Sequence, residues 1–391
     1  MHIALLSEGL YPFKVGGIQK HSYLLAKFLA RRKIAVDVYF YADQELSTYD
    51  IHQGFTDSEL DYLAFFVYPY PKYPVYFPGH FVYESWKVSK KISEDVICRR
   101  DLYDFIYVKG LVGLSLFRRA GKLSNFPQIG IKFHGYEMFQ KPSSFRSRIE
   151  SYFLRPPTIY SNRKADFVFS YGGKITDIIV TRLRISRDTI YEIPSGIEPE
   201  RIDVLPSAIG NPRKLLFIGR FERRKGVQEL NLALVRLLPY SSFEFHFIGP
   251  IPPEHKIDSP NIIYHGLIRD VAQVKAIINS ADILITPSHS EGMPNVILEG
   301  MAGGCAIIAT DVGAVSSMVS EKNGWLIPSP DPILIANAIE DGLKISADAL
   351  LQKKNQSLQL VREQFTWESV AAMVEEAIRE SISRKSASIN Y

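Results

Sequence analysis

The strand–helix–strand order is written twice in this chain, and that repetition restricts the fold more than any other feature. The first copy opens with HIALLS, a short apolar strand, and passes through a loop holding Pro12, Gly16 and Gly17. IQKHSYLLAKFLARR follows, with apolar residues at 18, 24, 25, 28 and 29, close to helical spacing. IAVDVYFYA is β-branched and aromatic and reads as the next strand. Strand, crossover and strand in that order imply a parallel sheet with right-handed connections. More strands are predicted at 105–110, 129–135 and 166–172. TIYEIPSGIEPERI then runs from a strand into a Pro/Gly turn, and at KLLFIGRF the pattern restarts. GVQELNLALVRLL, FEFHFIGP, IIYHGLI, DVAQVKAIINSA, DILITPS, VILEGMAGG and CAIIATDVG again alternate between helical and strand patterns. Two α/β units in tandem are the expectation: residues 1–195, residues 196–366, and a final segment 367–391. The helix of that segment, WESVAAMVEEAIRESI, is expected to pack across the junction, and its end is expected to fray.

Length and composition agree with this division. At roughly 100–200 residues per domain, 391 residues suit two domains, and 46% hydrophobic content supplies their cores. Cys98 and Cys305 are far apart, which fits a reducing compartment and gives neither a disulfide framework nor a thiolate zinc site. MHIALLSEGLYPF lacks the basic start of a signal peptide, and no apolar run approaches about 18 residues, so a cytoplasmic protein is expected. Residues 1–195 hold 27 Lys+Arg against 19 Asp+Glu, whereas residues 196–391 hold 19 against 23. Residues 62–86 are crowded with Tyr, Phe and Pro, and 141–157 reads as a basic amphipathic segment. Together these are compatible with peripheral contact with an anionic membrane at its inner face; no nucleic-acid partner is expected. None of these features sets the oligomeric state.

The chemistry concentrates in SEGMPNVILEG, which places Glu291 and Glu299 eight positions apart. On one ideal helix they would stand ~12 Å apart along the axis and ~80° apart around it. Glycosidase-type carboxylate pairs sit about 5–9.5 Å apart, so these two acids suit different parts of one extended ligand. Gly292 and Pro294 put Glu291 in the loop and start the helix near Pro294 or Asn295, leaving free N–H groups that attract phosphate. Polyol, phosphate, polyol is the pattern of a nucleotide sugar. In FIGRFERRKGV a strand gives way to Arg220 and Lys225 at the sheet edge where such folds bind ligands; Arg223 and Arg224 read as solvated. Gly16 and Gly17 at a helix start permit close approach of a ligand. KFHGYE places His134 just past a strand. There is no G-x-G-x-x-G, P-loop, H-E-x-x-H or D-x-D, which removes the commonest carrier of a metal–diphosphate complex.

Taken in order, the diglycine, GRFERRKG, TPSHSEGMPNVILEGMAGGCAIIATDVGA and NGWLIP resemble the GT-B retaining glycosyltransferases of family four (glycosyl transferases group 1). The resemblance implies two Rossmann-like domains whose parallel sheets face each other across a cleft, with the C-terminal helix crossing back to the N-terminal domain. The N-terminal domain would take the acceptor and the second the donor. The resemblance assigns the ribose to Glu299, and the diphosphate to Arg220 and Lys225 with Gly16 and Gly17 across the cleft. It assigns the donor sugar to His134, Glu291, Gly292, Met293, Pro294 and Asn295, and the base to Ile268 and Arg269. His134 and Glu291 would lie at the reacting centre. The implied reaction moves a hexosyl group from a nucleoside diphosphate sugar, with UDP favoured, to a saccharide or lipid-linked acceptor, by same-face displacement and without metal or other cofactor. In PSGIE, Ser195 stands where Asn is frequent in the family. A sugar-nucleotide epimerase, a phosphorylase on the same architecture and a non-catalytic binding module are the alternatives.

Overall fold

The computed structural model describes residues 1–43, 45–70, 79–142, 145–203, 205–239 and 242–389. Seven parallel strands form the first sheet: β1 (His2–Ser7), β2 (Ala35–Ala42), β3 (Leu63–Pro69), β4 (Phe105–Lys109), β5 (Gln128–Lys132), β6 (Phe167–Ser170) and β7 (Ile190–Glu192). Their order is β3-β2-β1-β4-β5-β6-β7. The second sheet has six: β8 (Arg213–Ile218), β9 (Phe243–Ile248), β10 (Ile262–Gly266), β11 (Ile283–Thr286), β12 (Ala306–Thr310) and β13 (Gly324–Ile327). Its order, β10-β9-β8-β11-β12-β13, repeats the first six positions of its neighbour. In both sheets the order reverses beside the first strand, between β1 and β4 and between β8 and β11. Crevices for ligands open at such reversals, beyond the carboxyl ends of the strands.

The central strands are buried on both faces, as parallel sheets require, so IALLS and AIIAT read as continuous apolar runs. The chain crosses between the units twice. Ile197 N–H donates to Phe365 O (2.7 Å) and Trp367 N–H to Ile197 O (3.1 Å), so the two crossings lie side by side. A Cβ on Gly196 would stand 3.0 Å from the Trp367 backbone, which explains a glycine at this crossing. Beyond it the helix Trp367–Ile389 returns to the first unit. Trp367, Val370, Ala371, Val374 and Ile378 join one core with Leu24, Leu25, Phe28 and Leu29 of the helix Gly17–Arg31.

Two expectations are corrected. The tail does not fray after 382: the helix runs to Ile389, held by an Arg384–Glu380 pair one turn apart (2.5 Å) and by Lys385 Nζ donating to Phe126 O (2.7 Å). Residues 141–157 do not form an ordinary amphipathic helix. The helix Phe145–Lys164 buries Ser151, Thr158, Ser161 and Asn162 and exposes Ile149, Tyr152, Phe153 and Tyr160. Of the aromatic stretch 62–86, residues 63–69 form the edge strand β3, 80–86 open the helix His80–Cys98, and 71–78 lie outside the described residues.

A fully buried ion pair anchors the second unit. Lys354 Nζ meets Asp282 Oδ1 at 3.2 Å and Ser207 Oγ at 2.9 Å, while the Asp282 carboxylate also accepts from Lys214 N–H (2.9 Å). Removing one partner strands the other charge away from water. Lys354→Met is therefore expected to cost about 3–5 kcal/mol in urea unfolding; a loss under about 1 kcal/mol would contradict this reading.

Candidate active site

The carboxyl ends of β8 and β11 are drawn together by glycine. Gly226 closes the turn after β8 with φ +69°, and a Cβ there would lie 1.9 Å from Pro287 O in the loop after β11. His289 N–H donates to Arg224 O across the same gap (2.7 Å). Only a residue without a side chain allows this approach. Its result is a compact charge network. Glu291, 6% exposed, accepts from Lys225 Nζ (2.6 Å), Ser288 Oγ (2.9 Å) and Arg224 Nη1 (3.2 Å). Arg224 Nε also donates to Glu222 (2.9 Å).

Beside this network the helix Asn295–Ala302 begins after Pro294, with no side chain capping its first N–H groups. Those groups and the helix dipole present partial positive charge to the cleft. Gly17, His134, Glu137, Tyr171, Ser195, Arg224, Lys225, Glu291 and Gly292–Asn295 line a cavity of about 420 Å3 between the two units. The walls touch at more than one point, and at one of them Lys174 pairs with Asp311 (2.8 Å). A Cβ on Gly292 would lie 1.7 Å from His134 O, and Gln140 Nε2 donates to Glu291 O (2.8 Å). Ser195 Oγ reaches Asn295 Oδ1 (3.3 Å), so the residue that departs from the family pattern sits in the junction beside the helix start.

His134 is the histidine of this wall. Its Nδ1 lies 2.7 Å from the Tyr171 hydroxyl. That hydroxyl has no other acceptor among the described residues, so it donates to Nδ1 and the ring hydrogen resides on Nε2, which is buried with no partner. Behind the ring lie His21, edge-on at 4.8 Å, and two fully buried lysines from paired positions of β4 and β5. Lys109 Nζ meets His21 Nδ1 (2.5 Å), and Lys132 Nζ donates to Ile193 O (2.7 Å). Burial, then the charges of Lys109 and Lys132, hold the His134 pKa well below the usual imidazole range. The ring is thus a neutral hydrogen-bond donor rather than a proton shuttle. Glu137, three residues on, faces Arg224 from the opposite wall; burial raises its carboxyl above the ordinary range, and Arg224 pulls the other way.

Other predicted residues are spread along the same edge. Glu299 lies one turn into its helix, 3.6 Å from Arg201, in a small hollow with Lys20, Asn295 and Trp367. Gly16 precedes the helix Gly17–Arg31, and the position of a Gly17 Cβ is open space. Ile268 and Arg269 occupy the loop between β10 and the helix Val271–Ser280, outside the cavity. Arg220 is 72% exposed, pairs with Glu222 (3.0 Å) and does not line the cavity. Arg224, read as solvated, does. Residues 223–225 form one tight three-residue turn, whose side chains go to different acids that sequence alone does not assign. Arg223 goes to Glu229 (2.6 Å), and Arg224 and Lys225 to Glu291. Glu137 and Tyr171 were also missed. The signal for Glu137 was its place three residues past His134; nothing local pointed to Tyr171. Among the described residues no three His, Cys, Asp or Glu side chains cluster as metal ligands.

Residues 15–201 match the family described as Glycosyltransferase Family 4, and residues 212–344 match Glycosyl transferases group 1. The chain belongs to glycosyltransferase family four, and its fold is GT-B. It is 34% identical over 157 residues to TuaC of Bacillus subtilis, a protein assigned to teichuronic acid biosynthesis as a glycosyltransferase. That match covers 38% of this chain and 40% of the relative, so the chain spans about two fifths of TuaC's length. Sucrose-phosphate synthase from Thermosynechococcus elongatus superposes with TM-score 0.73 at 18% identity, covering 98% of this chain and 99% of that one. The Anabaena protein HepE, solved with UDP and glucose, superposes with TM-score 0.65 at 16% identity, covering 97% and 99%.

Within this GT-B chain the contact of Gly292 with His134 O leaves no room for a methyl group. Gly292→Ala is expected to force the units apart, raising the radius of gyration in solution scattering while both units stay folded. A displacement of 1 Å at a reacting centre costs on the order of 10²-fold in rate, and transfer should fall accordingly. An unchanged scattering profile would contradict the closed contact.

Proposed function

We propose that this protein is a retaining hexosyltransferase that takes a nucleoside diphosphate sugar, with UDP as its nucleotide, and glycosylates a hydroxyl of a saccharide or lipid-linked glycan in polysaccharide or glycoconjugate synthesis. The observation that supports it most is the juxtaposition of Lys225 and Arg224 with an uncapped helix start, all facing one cavity that Glu291 and His134 also line. HepE, with UDP bound in the same fold, favours the choice of nucleotide.

The chemistry follows from charge. Cleaving the anomeric C–O bond develops negative charge on the departing diphosphate. The Lys225 ammonium has three donors and spends one on Glu291, leaving others for phosphate oxygens. Arg224 adds a guanidinium fork, and the N–H groups at Asn295 complete a cradle fixed before reaction. Charge is thereby met by protein groups, and the reading assigns no role to a metal. Glu291 and His134 would contact the donor sugar, and Glu299 the ribose. His134, its Nδ1 engaged by Tyr171 and its basicity lowered by burial, is unsuited to take the acceptor's proton; in this reading the leaving phosphate oxygen takes it while the acceptor bonds to the same face of the sugar.

The test is product analysis with UDP-hexoses. The new linkage is expected to keep the donor's anomeric configuration by NMR. Lys225→Ala and Glu299→Ala are expected to lower kcat/KM by at least about 10²-fold with unchanged circular dichroism. Inverted product would overturn retention, and full activity in both variants would overturn the site.

A further inference from the structure

Two neighbouring helices of the first unit leave large aromatic and apolar side chains at the surface. The helix His80–Cys98 buries Ser85, Ser89 and Ser93 alongside Val88, Ile92 and Val96, yet leaves Phe81, Tyr83 and Trp86 exposed at its start. The helix Phe145–Lys164 goes further. Its fully buried positions are Thr158, Ser161 and Asn162, while Tyr152 is 59%, Phe153 43% and Ile149 41% exposed. Soluble helices turn their apolar stripe inward. Outward rings on one helix are a local accident of packing; outward rings on two helices that meet make a surface. They do meet: Phe153 packs 3.1 Å from where a Gly79 Cβ would be, and Val82, Tyr83, Trp86, Leu114 and Phe153 line a shared open groove of about 430 Å3.

The chemistry of this face selects its occupant. Its rings are chiefly Tyr and Trp, whose polar tips suit a boundary between water and hydrocarbon rather than a dry protein core. Cations surround them: Lys87, Lys90, Lys91, Arg148, Arg163 and Lys164 are all exposed. Lys87 lies over the Tyr83 ring (5.3 Å) and Arg155 over Tyr152 (5.5 Å), so charge and aromatic surface are interleaved. The acids nearby are largely engaged: Glu84 accepts from Tyr70, Glu94 pairs with Arg119, and Asp95 accepts from Tyr68. We propose that this face, built from the starts of both helices, docks on the surface of an anionic lipid bilayer, with Trp86, Tyr152 and Phe153 inserted at headgroup depth and the lysines on lipid phosphates. No helix among the described residues is long and apolar enough to cross a membrane, so attachment through this face is peripheral. Docking through the first unit would leave the second free to bind donor.

The proposal stands apart from the transferase reading, because vesicle binding is measured without donor or acceptor. Full-length protein is floated with vesicles of phosphatidylcholine alone and with phosphatidylglycerol added. Flotation is expected only with the anionic vesicles and is expected to fall steeply with added salt. The pair Tyr152→Ser with Phe153→Ser changes exposed positions only and should lower the bound fraction by about tenfold or more at unchanged melting temperature. Lys90→Glu with Lys91→Glu should abolish the preference for anionic vesicles. Equal binding to both vesicle types, or full binding by the Tyr152/Phe153 variant, would overturn the proposal. So would a dimer in sedimentation that this variant dissolves, because a second copy would then be the occupant.

Discussion

The ion pair between Lys225 and Glu291 organises the molecule's working edge. At 2.6 Å it ties the loop after β8 to the loop after β11, the two strands that flank the order reversal of the second sheet. The carboxylate is buried and the ammonium nearly so, with side-chain exposures of 7% and 15%, so the charges gain much from being fixed by one another. Everything near it serves that fixation. Gly226 admits the close approach of the loops, Ser288 and Arg224 complete the carboxylate's shell, and Pro294 starts a helix whose free N–H groups share the space. A site for a strongly charged leaving group needs such preorganisation, since dipoles that must first turn are of little use to a transition state.

The opposite wall is arranged by a different constraint. Lys109 and Lys132 are fully buried, and burial pushes both well below the usual lysine range; the second lysine pushes Lys109 further. Their cost is met in part by His21 Nδ1 and the Ile193 carbonyl, and their effect is to keep His134 uncharged. One unit therefore supplies cations at the surface of the cleft, and the other a neutral donor backed by buried amines. The Gly196–Trp367 crossing joins these halves through a narrow connection, the returning C-terminal helix locks onto the first unit, and the walls meet at the contact between Gly292 and His134 and again where Lys174 pairs with Asp311.

Much of this architecture was legible because parallel sheets write themselves plainly. Buried strands such as IALLS and AIIAT are almost wholly apolar, and most helices between them carry one apolar stripe. The segment from Glu291 to Glu299 was legible for a similar reason: Gly292 and Pro294 leave few backbone paths, so loop acid, helix start and helix acid follow. Directions of side chains in tight turns were not. Arg220 and Arg224 are equally basic and four residues apart, and only the three-residue turn at 223–225 puts Arg224 in the lining of the cavity. Tyr171 was illegible because its contact with His134 spans 37 residues and is created by the alignment of β5 with β6. The helix 145–164 misled because its composition suggested an amphipathic pattern, while Ile149, Tyr152, Phe153 and Tyr160 face outward and its small polar residues pack inward beside Leu154 and Ile159.

Isothermal titration of UDP into the wild-type protein and into Lys225→Ala tests the central claim most directly, because it asks whether the paired lysine holds the diphosphate. Loss of one charge-assisted contact of about 1.5–3 kcal/mol predicts a Kd for the variant higher by roughly 10–150-fold, with uridine itself unaffected. Equal UDP affinity in the two proteins would contradict the account and move the diphosphate to another part of the cleft.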